Sequence, residues 1–141
     1  MKEQEILQRC FANRLRSASR AITRHYDAAL APLDVRISQL SVLVAVSLGQ
    51  GELTIVELAE HLAMDRSTLS RNFDPLVRRG LIELGPETRH RARHAILTPA
   101  GRTLLDAAFP LWEKAQADIE AAAPDAADAT ARLEPITRHF G

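Results

Sequence analysis

The chain has 141 residues, 46% apolar and 26% charged, with 18 basic side chains balancing 18 acidic ones. That is enough for one domain with a proper core, and it excludes a disordered polar tail. No apolar run reaches the length of a membrane span, and the N-terminus MKEQEILQRC lacks the hydrophobic stretch of a secretion signal. The single cysteine, Cys10, rules out an internal disulfide and fits a reducing, cytoplasmic setting.

Residues from about Lys2 to Ala31 read as one long helix ended by Pro32, with Leu7, Phe11, Leu15, Ala18, Ile22, Tyr26 and Ala29 recurring every three or four positions. Such a helix is longer than a small domain can cover, so its apolar stripe is expected to meet a partner chain. Ser38 to Leu48 is nearly all apolar and predicts a core helix, closed by Gly49-Gln50-Gly51.

Two short helices follow between Leu53 and Gly80. Thr54 and Glu57 form a capping box for the first, and Val56, Leu58, Ala59 and Leu62 give it an apolar face. Leu62-Ala63-Met64 makes the turn and Asp65 caps the second helix. Leu69, Phe73, Leu76 and Val77 form its inward stripe, and its other face carries Arg66, Ser67, Thr68, Ser70, Arg71, Asp74 and Arg78. Hydroxyls and arginines at the start of a short helix suit a major-groove reader. An ordinary amphipathic pair with a solvated face has the same pattern.

After Gly80 the period changes to two. Residues 81–84 and 95–97 predict short strands around GPETRHRARH, a polar hairpin with Arg89, His90, Arg91 and Arg93 near its tip. A helix pair followed by a basic hairpin outlines a winged helix-turn-helix, the hairpin lying along the DNA backbone or in the minor groove. Between Met64 and Arg102 eight arginines face four acids, a basic patch on a neutral chain. Thr98-Pro99 opens a helix carrying Leu104, Leu105, Ala108, Phe109, Trp112, Ala115 and Ile119, and Ala129, Leu133, Ile136 and Phe140 outline one last helix.

The five histidines are scattered singly, without the spacing of a metal site, and no catalytic constellation or phosphate loop is present. Neither a cofactor nor an enzymatic activity is expected. A protein-binding winged helix without specific DNA binding is the alternative, its arginines then meeting an acidic partner.

These residues resemble the MarR family of bacterial winged-helix repressors, most specifically in LTIVELAEHLAMDRSTLSRNFDPLVRRGLIE and LTPAGRTLL, with ASRAITRHYDAALAPLDVRISQLSVL as the lead-in. The resemblance implies a mainly α fold: a winged helix-turn-helix over residues 33–100 with a β-hairpin wing, flanked by dimerisation helices in 1–32 and 101–141. It implies a homodimer on a pseudo-palindromic operator, released by a small-molecule or oxidant signal. By position, Asp65 to Arg79 is the recognition helix, with Arg66, Ser67, Thr68, Ser70 and Arg71 in the groove. Arg89-His90-Arg91 stands where the family's wing usually carries Asp-Arg-Arg, and Ala63 replaces a glycine frequent in the turn. Arg14, Tyr26 and Trp112 are candidates for a pocket taking a small aromatic anion, or simply fill the junction there. Cys10 is a candidate oxidant sensor, or a small buried residue at the dimer interface, the commoner use of a free cysteine.

Overall fold

The N-terminal arm is two helices rather than the single one its periodicity predicts. In the computed structural model, which describes residues 1–86 and 92–141, α1 spans Lys2–Arg9 and α2 spans Phe11–Leu30. Between them Cys10 is extended, with φ −66° and ψ 112°. No proline or glycine forces the break. The Cys10 amide still donates to the Ile6 carbonyl at 3.0 Å, and its own carbonyl accepts from Arg14 at 3.2 Å. None of α1 is buried, so the chain's own packing does not hold the two segments in line.

A 3-10 turn, Ala31–Leu33, carries the chain to α3 (Ile37–Gly49), the central helix of the core. Leu40, Val42, Leu43 and Val46 are buried against α2 and the helices that follow. Each such side chain contributes about 1.5–3 kcal/mol by leaving water. The expectation that all of α3 is interior does not hold: Val44 and Leu48 are 42% and 77% exposed. They lie on a side that lines an open groove rather than the core.

The helix pair is α4 (Ile55–His61) and α5 (Arg66–Arg78). Thr54 and Glu57 make the predicted box: the Glu57 amide donates to Thr54 Oγ1 at 3.3 Å and the Thr54 amide to Glu57 Oε2 at 2.8 Å. Leu58 and Ala59 are buried, but Val56 is 44% exposed and Ile55 packs in its place. Residues 55, 58, 59 and 62 are the true i, i+3, i+4, i+7 set. In the turn Ala63 has φ 50°, a left-handed conformation that costs an L-residue about 1–2 kcal/mol. Leu69, Phe73 and Leu76 seat α5 on the core, and the helix continues through Pro75.

The wing strands are β1 (Ile82–Leu84) and β2 (Ala95–Leu97), antiparallel, with Glu83 opposite Ile96. The Ala95 amide also donates to the Leu53 carbonyl at 3.0 Å, and Thr54 bridges to His94, so the hairpin is tied to the residues just ahead of α4. Thr98 caps α6 (Pro99–Ala122), accepting from the Gly101 amide at 3.0 Å and donating to the Gly80 carbonyl at 2.6 Å. Gly101 is required here: a Cβ would sit 2.2 Å from the Leu81 carbonyl oxygen.

α6 packs along α2 and also against α3. The expected last helix is instead two, α7 (Ala126–Ala131) and α8 (Glu134–Phe140). Pro135 explains the division, since proline fits the first turn of a new helix but disrupts the interior of a continuing one. Among the described residues no single helix is long and apolar enough to cross a membrane.

Candidate nucleic-acid interface

Asp65 organises the start of α5. Its Oδ1 accepts from the Thr68 amide at 2.7 Å and from the Ser67 hydroxyl at 2.9 Å. The Thr68 amide, and then the Ser67 hydroxyl, hold this carboxyl below its ordinary value. Glu57 is lowered likewise, first by the Thr54 amide and then by the Thr54 hydroxyl. A carboxyl with a depressed folded value stabilises above its unfolded value and loses that contribution as pH falls through the folded one. The thermal midpoint is therefore expected to drop as pH falls below the ordinary values of 3.8 for Asp65 and 4.5 for Glu57, towards their lower folded values. A double Asp65→Ala/Glu57→Ala variant, unfolded thermally across the same range, should show a shallower acid limb. An unchanged limb would remove these caps from the acid response.

Beyond the cap, Arg66, Ser67, Ser70 and Arg71 are exposed along one face, with Thr68 half-buried beside them. Arg71 rests one donor on Thr68 Oγ1 at 3.2 Å, whereas Arg66, Ser70 and Arg78 make no side-chain hydrogen bond among the described residues. Among the described residues the ion pairs lie on the arms, although Arg14, Arg16, Arg20 and Arg24 of α2 are in none of them. The arms carry ion pairs such as Arg9–Glu5, Lys114–Asp118, Arg132–Asp128 and Arg138–Glu134. Among the described residues none of Arg66, Arg71, Arg78 and Arg93 has an acidic partner. The face keeps its positive charge available for an external anion.

At the base of the wing Arg93 donates through Nε to the Gly85 carbonyl at 3.2 Å, which braces the hairpin. Arg89, His90 and Arg91 lie outside the described residues. Two side chains that the sequence did not single out connect α5 inward: Asn72 Oδ1 accepts from the Ser38 hydroxyl at 2.7 Å, and Arg79 donates to the carbonyls of Leu33 and Asp34. Neither carries a sequence signature, because their partners, a hydroxyl 34 positions away and two backbone carbonyls, are set by the fold.

A second feature is an apolar groove of about 930 Å³ between α3 and α6. Leu40, Val44, Leu48, Phe109 and Trp112 line it, with Phe109 and Trp112 in ring contact at 5.9 Å. His61 and Leu62, the last residue of α4 and its C-cap, line it too. Arg102 also lines it and donates to Ser47 Oγ at 2.6 Å.

The family model of the MarR family matches residues 33–93. A crystal structure of the M. tuberculosis transcriptional regulator MosR is 31% identical, spans 94% of this chain and 96% of its own, and has a TM-score of 0.82. The chain belongs to the MarR family. Membership makes it a DNA-binding transcriptional regulator. The MarR-family fold is matched as well by MosR in complex with DNA, 33% identical over 92% of this chain and 98% of that one, with a TM-score of 0.77. The transcriptional repressor CouR bound to p-coumaroyl-CoA is 26% identical over 96% of each chain, with a TM-score of 0.81. No curated protein matches in sequence.

In this MarR-family chain one of the three residues proposed for an effector lines the groove. Trp112 lines the groove, while Arg14 and Tyr26 are not among its lining residues. Arg14 is exposed on α2, and the Tyr26 hydroxyl donates to Gln116 on α6. Burial and then the nearby Glu120 carboxylate push that hydroxyl's pKa up, so it stays a donor. Cys10 is half-buried at the break between α1 and α2.

Proposed function

We propose that this protein binds a pseudo-palindromic operator as a homodimer, represses transcription there, and is released when an amphipathic anion occupies the α3–α6 groove. The observation that carries the DNA reading is the exposed set Arg66, Arg71 and Arg78, none in an ion pair among the described residues, on a helix whose opposite face is fixed in the core. Two such helices would enter successive major grooves about 34 Å apart. The dimer is supported by Ile6, Leu7 and Phe11 on the arm, all exposed in the single chain, Phe11 by 77%. The release step is supported by the presence of His61 and Leu62, at the end of α4, in the groove's lining. A ligand against His61 and Leu62 presses on the helix that leads through Ala63 into α5. Its apolar body would lie over Val44, Phe109 and Trp112, and its negative head at Arg102, away from the Asp106 carboxylate that also lines the groove. The volume exceeds what a small phenolic acid fills, and the CouR structure bound to p-coumaroyl-CoA favours an acyl thioester as the first compound to try.

The test starts by selecting bound fragments from the native genome and titrating the selected duplex against a scrambled one. Specific affinity is expected to exceed non-specific by about a thousandfold or more and to fall steeply with salt. An aryl-CoA thioester should then weaken operator binding in the parent but not in Trp112→Ala or Arg102→Ala, and peroxide with Cys10→Ser serves as the separate oxidant arm. If no duplex is selected, the operator reading fails. If neither ligand nor peroxide alters affinity, release through these residues is wrong.

A further inference from the structure

The loop between the arm and the core is held from both sides. On one side the Ile37 amide donates to Asp27 Oδ1 on α2 at 2.8 Å. On the other, the α5 segment holds the loop through Arg79 and the first turn of α3 through Asn72. Arg79, at the C-terminal end of α5, donates through Nη1 to the Asp34 carbonyl at 2.6 Å and through Nη2 to the Leu33 carbonyl at 3.1 Å. Two turns back, Asn72 accepts from the Ser38 hydroxyl at 2.7 Å, and its Nδ2 donates to the Thr68 carbonyl at 2.9 Å.

The chemistry suits the task. Leu33 closes the 3-10 turn and Asp34 turns left-handed at φ 52°, leaving carbonyls at the end of a helical turn without intrahelical partners. A guanidinium presents two donors in one plane to two successive carbonyls, which a single ammonium cannot do. Buried Leu30 and Val35 fix the loop itself in the core. Leu69, Phe73 and Leu76 already seat α5 on the core, and the polar ties at residues 72 and 79, about 10 Å apart along its axis, add direction to that seat.

We infer that Arg79, Asn72, Ser38 and Asp27 form a latch that sets the angle between the recognition helix α5 and the arm helix α2. Arg79 is accordingly a positioning residue, one that determines which half-site spacing the protein accepts, and not a phosphate contact. The spacing consequence rests on the operator-binding dimer proposed above. In that dimer the arm joins the two copies, so any tilt of α5 on α2 becomes a displacement between the two reading helices.

The experiment has two readouts on the full chain. In a Cys10→Ser background, spin labels on cysteines introduced at Arg20 and Ser70, diluted with unlabelled chain, report the α2–α5 distance within one copy without DNA. Arg79→Ala should broaden or shift that distribution, Arg79→Lys should do so less, and Asn72→Ala should act in the same direction. Unfolding midpoints show whether each variant is folded. The second readout is affinity for operator duplexes whose half-sites are moved apart or together by one base pair. The parent should prefer its own spacing by about tenfold or more. Arg79→Ala should lose most of that preference while keeping the parent's salt dependence. Unchanged distances overturn the latch, and so does a uniform loss over all spacings with a shallower salt slope, the mark of a phosphate contact. A parent that binds no duplex would end the operator reading, and the distances would still decide the latch.

Discussion

Removing Met1 to Ser19 is expected to leave a monomer whose operator affinity falls by about a hundred- to ten-thousandfold, the gain that joining two half-site contacts confers. The deleted segment holds Ile6, Leu7, Phe11 and Leu15, exposed in the single chain, and none of the buried core, which begins at Leu30. Deletion should therefore spare the winged-helix core while removing the surface that a second copy would cover. Ile136 and Phe140 at the other end of the chain, also exposed, would lose their cover with it. Light scattering at micromolar concentration reads the mass, and an operator titration reads the affinity. A truncated chain that still scatters as a dimer would show that the interface lies elsewhere.

The second large effect is expected from Arg71. Its guanidinium is exposed on the reading face with one donor on Thr68 Oγ1, leaving the rest of the fork for a base edge. A bidentate arginine–guanine contact discriminates by about 1–3 kcal/mol, so Arg71→Ala should bring competing sequences about ten- to a hundredfold closer to the operator. Arg71→Lys should recover overall affinity but little discrimination, because an ammonium supplies charge without the planar fork. Competition between the operator and single-base variants measures this directly. Discrimination equal to the parent's in both variants would take Arg71 out of base reading. Ser67 should matter less than its exposure implies, since its hydroxyl proton is engaged by Asp65.

The helix pair was legible in the sequence because its signals are local. Thr54 with Glu57, Asp65, and the Leu69–Phe73–Leu76 stripe each state a position within a few residues, and the change of period after Gly80 marked the strands. What escaped depended on distant parts of the chain. Arg79 finds carbonyls more than forty positions earlier, and the groove is assembled from α3, the end of α4 and the first half of α6. Val56 was misplaced because it too stands at a helical interval from Ala59, and only packing separates it from Ile55. The break at Cys10 has no local breaker to announce it. The MarR resemblance carried family membership and the mainly helical winged fold; the arrangement of Arg14, Tyr26 and Trp112 was beyond it, since their relative placement is set only by tertiary packing.

The hydrogen bond from Ala95 to Leu53 has a mechanical meaning. It joins the wing to the strand-like residues from which α4 departs, while Thr98 and Gly101 stitch the other end of the hairpin to the start of α6. The described base of the wing, the residues ahead of α4 and the start of α6 are thus tied together. If a ligand releases the proposed dimer from its operator, the base of the wing and the start of α4 should then move together. The major groove and the flanking backbone would be vacated at the same ligand concentration.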